Sequence, residues 1–279
     1  MYMPITDWDT AYANRLAVAD SAELIAAWTA RSAAFGRRYG ARVEHVERDL
    51  AYGRDAREAF DVYHPEGKVS GTLILFHGGY WRALSKDDHH HFAAGALARG
   101  WRVVIADYPL CPDVRMSYIA SCATQAVEVA VTHWHDGPVV LAGHSAGGQL
   151  VSYAVSAASG LSDTARRFIT RVVSISGIHD LRPLLGTTEL NAALRLDEQE
   201  AVELSPALGR PGHDFELVCV CGGDELSEFR RQNALLANIW TGFGLDARAI
   251  EYAGHHHFSV MALLEDADSD LTARVTPGA

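Results

Sequence analysis

The chain has 279 residues, of which 48% are hydrophobic and 21% are charged, and its formal net charge is −11 at pH 7. These values are typical of a globular protein with one large domain or two smaller ones. The negative charge argues against nucleic acid or an anionic membrane surface as a partner. No apolar run approaches the roughly 20 residues of a membrane-spanning helix.

Signals of secretion and of disulfide bonding are weak. The first 20 residues carry acidic side chains and lack the basic and apolar blocks of a signal peptide. Two of the four cysteines, Cys219 and Cys221, alternate within a predicted strand, so their side chains should point to opposite faces. We therefore predict reduced thiols in a cytoplasmic protein.

Two runs of histidines, 89–91 and 255–257, raise the question of a metal site. Zinc needs three or four ligands that converge, whereas adjacent residues on a helix diverge by about 100°. We therefore predict that His89, His90 and His91 lie on a solvated helix face. We expect no metal and no other cofactor.

Residues 8–38 have the spacing of one or two amphipathic helices and belong to an N-terminal helical extension over residues 1–40. This extension should pack on the main domain, and it could also cover the mouth of an active site. Its candidate buried residues are Leu16, Leu24, Ile25, Trp28 and Phe35.

Apolar runs and helical spacings then alternate along the chain. Residues 43–52 and 58–64 suggest an antiparallel pair at a sheet edge. Further strands are predicted at 71–76, 101–108, 138–142, 171–176, 215–221 and 247–252, and helices at 87–99, 116–134, 148–158 and 227–240. A C-terminal helix of roughly three turns should follow Gly254, with a frayed tail from Asp266.

This alternation predicts an α/β fold, with a mostly parallel sheet covered by helices on both faces. We expect a single domain over residues 1–279. Residues 177–211 lack a clear strand and suggest a cap-like insertion of short helices.

The segment Gly143-His144-Ser145-Ala146-Gly147 stands between a predicted strand and a predicted helix. G-x-S-x-G in this context is the nucleophile elbow of α/β-hydrolases. Glycines flank the serine because a Cβ in so tight a turn would collide with the neighbouring chain. The alternative is an ordinary turn in which Ser145 caps the helix.

Three other polar segments also follow predicted strands, and in open α/β sheets ligands bind outside the carboxyl ends of the strands. They are the turn at His77-Gly78-Gly79, the acidic pair Asp224-Glu225, and His257. Their order after Ser145, an acid and then a histidine, is the order found in α/β-hydrolases.

These segments predict a catalytic triad. His257, with His255 and His256 as rivals, would take the proton of Ser145, and an acid would hold its imidazole. Backbone N–H groups of Gly78 or Gly79, together with that of Ala146, would bind the oxyanion. A strand-end acid could be Asp224.

The chain resembles the kynurenine formamidase (arylformamidase) family, which belongs to the α/β-hydrolases and is close to the hormone-sensitive-lipase-like esterases. The resemblance runs from about Ala11 to His257. It is carried by His77-Gly78-Gly79-Tyr80-Trp81, Tyr108-Pro109-Leu110-Cys111-Pro112, Gly143-His144-Ser145-Ala146-Gly147-Gly148 and His257-Phe258. In that family the acid stands three residues before a Glu-Phe pair, which favours Glu225 over Asp224 here.

The resemblance implies hydrolysis of N-formyl-L-kynurenine to kynurenine and formate by a serine hydrolase. Tyr80 and Trp81 are candidate walls for the aromatic leaving group, although core packing is the usual role of aromatic residues after a central strand. The partner would be a small-molecule substrate, and a homo-oligomer is compatible with the sequence. The alternatives are a short-chain carboxylesterase of broad specificity and a non-catalytic binding protein with a hydrolase fold.

Overall fold

The computed structural model describes residues 5–40 and 45–278 and contains one eight-stranded sheet. The strand order is β1-β2-β4-β3-β5-β6-β7-β8. The strands are β1 Val46–Ala51, β2 Ala59–Tyr63, β3 Gly71–Phe76, β4 Trp101–Ala106, β5 Val139–His144, β6 Ile169–Ile175, β7 Glu216–Gly222 and β8 Asp246–Tyr252. The six strands from β3 to β8 run parallel to one another. The edge strand β1 is antiparallel to β2, and β2 is antiparallel to β4. The predicted antiparallel edge pair is confirmed where it lies within the described residues.

The central strands are apolar runs because both of their faces are covered. Every residue of β3, β4 and β5 is buried, which is typical of parallel strands with helices on each side. The order reverses at β3, since the chain moves from β3 to β4 on one side and then to β5 on the other. The turns that follow β3 and β5 therefore meet at one carboxyl edge, where ligands of such sheets bind.

Eleven α-helices lie in the described part of the chain. They are α1 Trp8–Ala11, α2 Asn14–Ala17, α3 Ser21–Gly40, α4 Ala94–Ala98, α5 Met116–His133, α6 Ala146–Ala154, α7 Asp163–Arg166, α8 Glu189–Leu194, α9 Glu198–Glu203, α10 Ser227–Thr241 and α11 Asp270–Val275. One core cluster contains the buried side chains of α5, α6 and α10. A second core contains those of α3, α4 and α11. The predicted α/β architecture is confirmed.

The prediction of a solvated histidine face was wrong. His89, His90 and His91 are all at most 4% exposed. The predicted helix over 87–99 starts as 3₁₀ turns at Lys86–Asp88 and His90–Ala93 and becomes α-helical only at Ala94. Long helix α3 packs over these turns, and the Trp28 ring lies 5.7 Å from that of His89. The turns are buried because α3 covers them.

The C-terminal prediction also needs correction. A 3₁₀ helix over Ser259–Glu265 replaces the predicted α-helix. The chain beyond Asp266 then forms α11, where the Ser269 side chain accepts a hydrogen bond from Thr272 N, and Leu271 is fully buried. Capping and burial of an apolar face order this segment, so it is not frayed.

The N-terminal region forms three helices, α1 to α3, and only part of its predicted core is buried. Trp28 is 5% exposed, whereas Leu24, Ile25 and Phe35 are half-buried. Leu16 is 88% exposed, which contradicts its predicted burial. The short helix α2 holds only four residues and turns this side chain outward.

Residues 177–211 contain α8, α9 and two 3₁₀ turns, Arg182–Gly186 and Pro206–Leu208. Their role as a cap stays a prediction. Nowhere in residues 5–40 and 45–278 does a helix combine the length and apolarity needed to cross a bilayer.

Candidate active site

Ser145 occupies a strained turn between β5 and α6. Its φ is +54° and its ψ is −114°, a conformation that non-glycine residues rarely adopt. A Cβ at Gly143 would lie 2.1 Å from the Gly147 carbonyl oxygen, and a Cβ at Gly147 would lie 2.3 Å from that of Phe76. Glycine is therefore required on both sides of the serine, as the sequence predicted.

The Ser145 side chain does not cap its helix. Ser145 is the N-cap residue of α6, but its hydroxyl makes no capping hydrogen bond. Its backbone is held instead, because its N–H donates to the Ile175 carbonyl at 2.7 Å. Ordinary capping therefore does not explain this serine.

His257 and Glu225 form a buried pair. The Nδ1 atom of His257 lies 2.8 Å from Oε2 of Glu225, and both side chains are at most 5% exposed. A protonated Nδ1 donating to this carboxylate leaves the lone pair on Nε2, as a general base requires.

The histidine is placed beside the elbow. Its ring centroid lies 4.6 Å from that of His144, the residue before the serine. Its backbone carbonyl accepts a hydrogen bond from His144 Nε2 at 2.8 Å. Residues more than a hundred positions apart in sequence therefore meet at one edge of the sheet.

The rival histidines have other surroundings. Nδ1 of His256 accepts hydrogen bonds from the backbone N–H groups of Phe258 and Ser259, both at 3.2 Å. His255 is half-buried, and its ring lies 6.5 Å from that of Tyr252. Among the three, the structure joins His257 to a carboxylate.

The Glu225 carboxylate is fixed on both of its oxygens. Oε2 faces His257, whereas Oε1 accepts from Ser176 Oγ at 2.5 Å and from Gly222 N at 2.7 Å. Asp224, the strand-end alternative, is exposed. Ser176 was not singled out from the sequence, because nothing local marks a serine 49 residues earlier, after the neighbouring strand β6, as a partner of this acid.

His144 braces the site as a neutral side chain. Its Nε2–H donates to a carbonyl, and its Nδ1 is buried without a hydrogen-bond partner among the described residues. Burial, together with the neighbouring His257, holds the pKa of His144 well below its usual value. His144 therefore adds no positive charge next to His257.

Gly78 lies against the serine, and Gly79 follows it in the same turn. A Cβ on Gly78 would be 3.2 Å from the Ser145 Cβ and 2.9 Å from His144 Nδ1. Gly79 has a φ of +111°, and a Cβ there would be 2.1 Å from the Ala83 carbonyl oxygen. In the described chain the N–H groups of these two glycines donate to no protein acceptor, so both are free to bind an oxyanion.

His77 anchors this turn from behind. It is fully buried and stacks on Tyr108, with the two ring centroids 4.1 Å apart. Its Nδ1 is 2.7 Å from the Gly78 carbonyl and its Nε2 is 2.9 Å from Oδ1 of Asp107. These contacts hold the predicted oxyanion turn, residues 77–79, against the end of β4.

The two predicted aromatic wall residues have different positions. Trp81 is 0% exposed, and its Nε1–H donates to Gln149 on α6 at 3.1 Å. Trp81 therefore packs in the core, the second of the two roles considered above, and is not a wall for the substrate. Tyr80 is half-buried, and its hydroxyl donates to the Tyr12 carbonyl at 2.6 Å. Burial and the nearby Glu225 carboxylate raise the pKa of Tyr80.

A cleft of about 910 Å³ opens beside the oxyanion turn. Its walls come from the N-terminal segment, from the turn after β3 and from the start of α8. Ser145 and His257 are not among its lining residues, which are Asp9, Thr10, Tyr12, Ala13, Asn14, Arg15, Leu16, Gly79, Tyr80, Arg82, Ala83, Thr187, Thr188, Glu189 and Leu190. The cleft therefore borders the predicted oxyanion turn at Gly79 and Tyr80.

The N-terminal wall is anchored to α10 by a buried network. The Tyr12 hydroxyl donates to Oε1 of Glu228 at 2.6 Å and accepts from Gln232 at 3.0 Å. Arg231 also pairs with Glu228, which is 1% exposed. No local pattern links Glu228 to Tyr12, because the two residues lie 216 positions apart in sequence.

One group among the described residues has metal-like spacing. Ligand atoms of Asp61, Asp87 and His90 lie within 4.8 Å of one another. However, Nζ of Lys86 is 3.1 Å from Asp61 and 3.0 Å from Asp87, and Arg48 pairs with Asp61 at 2.8 Å. Cationic side chains already neutralise these carboxylates, so the group is an ion-pair network.

Several known proteins are similar to this chain over most of its length. Kynurenine formamidase of Danio rerio is 29% identical over 232 residues, which are 80% of this chain and 78% of that protein. The Drosophila melanogaster kynurenine formamidase is 25% identical over 246 residues, 84% of this chain and 80% of that protein. A solved structure of a provisionally assigned thioesterase from Silicibacter sp. is 37% identical, with a TM-score of 0.90, and covers 96% of this chain and 98% of that one.

The α/β hydrolase fold family matches residues 73–260. That range begins in β3 and ends just after His257, so it includes the oxyanion turn, the elbow and the acid. It covers well over half of the 279 residues. The protein is a hydrolase, and it belongs to the α/β hydrolase fold family.

Proposed function

We propose that this hydrolase works through a covalent acyl-enzyme with Ser145 as nucleophile, His257 as base and acid, and Glu225 as the orienting carboxylate. The observation that carries the proposal is the 2.8 Å contact between His257 Nδ1 and Glu225, at a ring that packs on the residue preceding Ser145. Nε2 of His257 takes the Ser145 proton as Oγ attacks the substrate carbonyl carbon.

The oxyanion that forms would be bound by backbone N–H groups. Gly78 packs against the serine and Gly79 follows it, and the N–H groups of both lack a protein acceptor among the described residues. Ala146 begins α6, where N–H groups lack intrahelical acceptors. Each such donor contributes on the order of 3 kcal/mol to transition-state stabilisation. Both glycines fit because the substrate carbonyl must approach the backbone closely.

The substrate we propose is an aryl formamide such as N-formyl-L-kynurenine. The formyl carbon would bond to Ser145 Oγ, the C–N bond would break, and His257 would return its proton to the leaving aryl amine. A water molecule, deprotonated by the same histidine, would then attack the formyl ester and release formate and free Ser145. The identities of 25–29% to three kynurenine formamidases, each over about 80% of both chains, support this substrate.

The proposal predicts a strong preference for formamides. The purified enzyme should hydrolyse N-formyl-L-kynurenine with a kcat/KM at least about 100-fold above that for p-nitrophenyl acetate, since the two differ in transition-state binding. Steady-state kinetics with both substrates measures this ratio. Equal values, or a preference for the ester, would contradict the formamidase function.

The second candidate is an esterase or thioesterase that uses the same residues. The 37% identity to the Silicibacter thioesterase over nearly the whole of both chains favours it. Including an acetyl thioester as a third substrate separates the two candidates. A higher kcat/KM for the thioester than for the formamide would support this function over the first.

A further inference from the structure

The cleft beside the oxyanion turn carries charges of both signs. The lining residues Arg15 and Arg82 are exposed, and neither guanidinium has an ion-pair partner among the described residues. The lining residues Asp9 and Glu189 are also exposed, and no described cation pairs with either. Two unpaired cations and two unpaired anions in one cleft match a ligand that carries both charges.

The positive charges come from the turn after β3 and from the N-terminal wall of the cleft. The backbone N–H of Arg82 donates to the Gly79 carbonyl at 3.1 Å, so Arg82 is held directly beside the oxyanion turn. Arg15 follows Asn14, whose amide nitrogen lies 3.5 Å from the Tyr80 hydroxyl. Arg15 and Arg82 thus belong to two segments that meet at Tyr80.

The negative charges come from two other segments that are also joined. Oδ1 of Asp9 accepts a hydrogen bond from the backbone N–H of Thr188 at 2.7 Å. Glu189 is the next residue and begins α8. Asp9 and Glu189 therefore form one acidic side of the cleft.

A polar side chain in the same cleft has hydrogen-bonding capacity left for a ligand. The amide nitrogen of Asn14 lies 3.5 Å from the Tyr80 hydroxyl, at the limit of a hydrogen bond. No described residue donates a hydrogen bond to its amide oxygen. That oxygen is therefore free to accept a hydrogen bond from a polar group of a ligand in the cleft.

We propose that this cleft binds the free α-amino and α-carboxylate groups of the substrate's leaving group. Arg82, assisted by Arg15, binds the carboxylate, for which the planar guanidinium is suited. Glu189 and Asp9 bind the ammonium group. The inference rests on the proposed formamidase function and assigns the residues that recognise the amino-acid part of that substrate.

The wall that presents Asn14 and Arg15 is preorganised. Tyr12 bonds to Glu228 and Gln232 on α10, a helix that starts two residues after Glu225. The segment is therefore fixed before the ligand arrives, which lowers the ordering cost of binding.

Two substrates and matched variants test the site. N-formyl-L-kynurenine carries the amino acid, whereas 2′-formamidoacetophenone keeps the formamide, the ring and the ketone without it. Arg82→Ala should raise KM for the first by about 10-fold or more and change KM for the second by less than about 2-fold. Arg82→Lys should recover part of the loss, because it keeps the charge but not the bidentate geometry.

Glu189→Gln should raise KM for N-formyl-L-kynurenine several-fold and leave the acetophenone unchanged. Arg167→Ala is the control, since Arg167 is exposed, lies outside this cleft and contacts Thr164. It should leave both substrates unaffected. Circular dichroism and thermal unfolding establish that each variant is folded.

The outcomes separate the two proposals. If Arg82→Ala impairs both substrates equally, or neither, the amino-acid site is overturned while the formamidase function stands. If the unsubstituted enzyme hydrolyses neither formamide, the formamidase function itself fails. A selective rise in KM for the amino-acid substrate supports the site.

Discussion

Replacing Ser145 with alanine is expected to lower kcat by about 10⁵-fold on any substrate that the enzyme turns over, since loss of the nucleophile removes the covalent route. The protein should remain folded, because the hydroxyl makes no capping bond and the change removes one atom. Stopped assays at high enzyme concentration measure the residual rate, and thermal unfolding checks the fold.

Ser152→Ala is the matched control for this variant. Ser152 lies on the same helix, and its hydroxyl donates to the Gly148 carbonyl. Its loss should change kcat by less than about 3-fold, as expected for a neutral hydrogen bond away from the reacting atoms. A Ser145→Ala enzyme within about 10-fold of the unsubstituted rate would contradict the nucleophile assignment.

Glu225→Gln is expected to lower kcat by about 10³- to 10⁴-fold while leaving the shape of the site intact. Ser176 and Gly222 both donate to Oε1 of the carboxylate, so a glutamine would turn its carbonyl toward them. Its NH₂ group would then face His257 Nδ1 and place the imidazole proton on Nε2. A histidine in that tautomer cannot accept the Ser145 proton.

Asp224→Asn provides the comparison, because Asp224 precedes Glu225 and is exposed. Its kcat should stay within about 3-fold of the unsubstituted enzyme. Measuring kcat of both variants on one substrate decides between the two acids. A larger loss for Asp224→Asn than for Glu225→Gln would overturn the assignment of Glu225.

The elbow and the oxyanion turn were predictable because their signals are local. The tight turn at Ser145 requires glycine at two flanking positions, since a Cβ at Gly143 or Gly147 would overlap the backbone. This requirement appears in the sequence as a recognisable motif. The end of a buried strand also fixes the edge at which a turn lies. Strand order together with motif order therefore predicted that Ser145, an acid and a histidine would lie at one edge, whereas the preference for Glu225 over Asp224 came from the family resemblance.

Other features depend on contacts that no local pattern carries. Burial of His89 to His91 comes from α3 packing on them, and helical spacing alone suggested solvent. Trp81 was a candidate for the substrate wall, but Gln149 on α6 receives its N–H, so it lies in the core. These outcomes were set by which elements pack together, whereas sequence periodicity reports only the type of element.

The polar network behind the site shows the same limit. Ser176 orders Glu225, and Tyr12 joins the N-terminal segment to Glu228. A serine after a strand or a tyrosine after a short helix is common in any sequence. Only the fold reveals that their hydroxyls reach these carboxylates.

The most direct test of the account compares kcat/KM for Ser145→Ala, His257→Ala and the double variant, on the best substrate found. Residues that act as one unit lose activity together, so the double variant should be no more than about 3-fold worse than Ser145→Ala alone. Independent, multiplicative losses, with the double variant far below either single one, would contradict the claim that His257 works through Ser145.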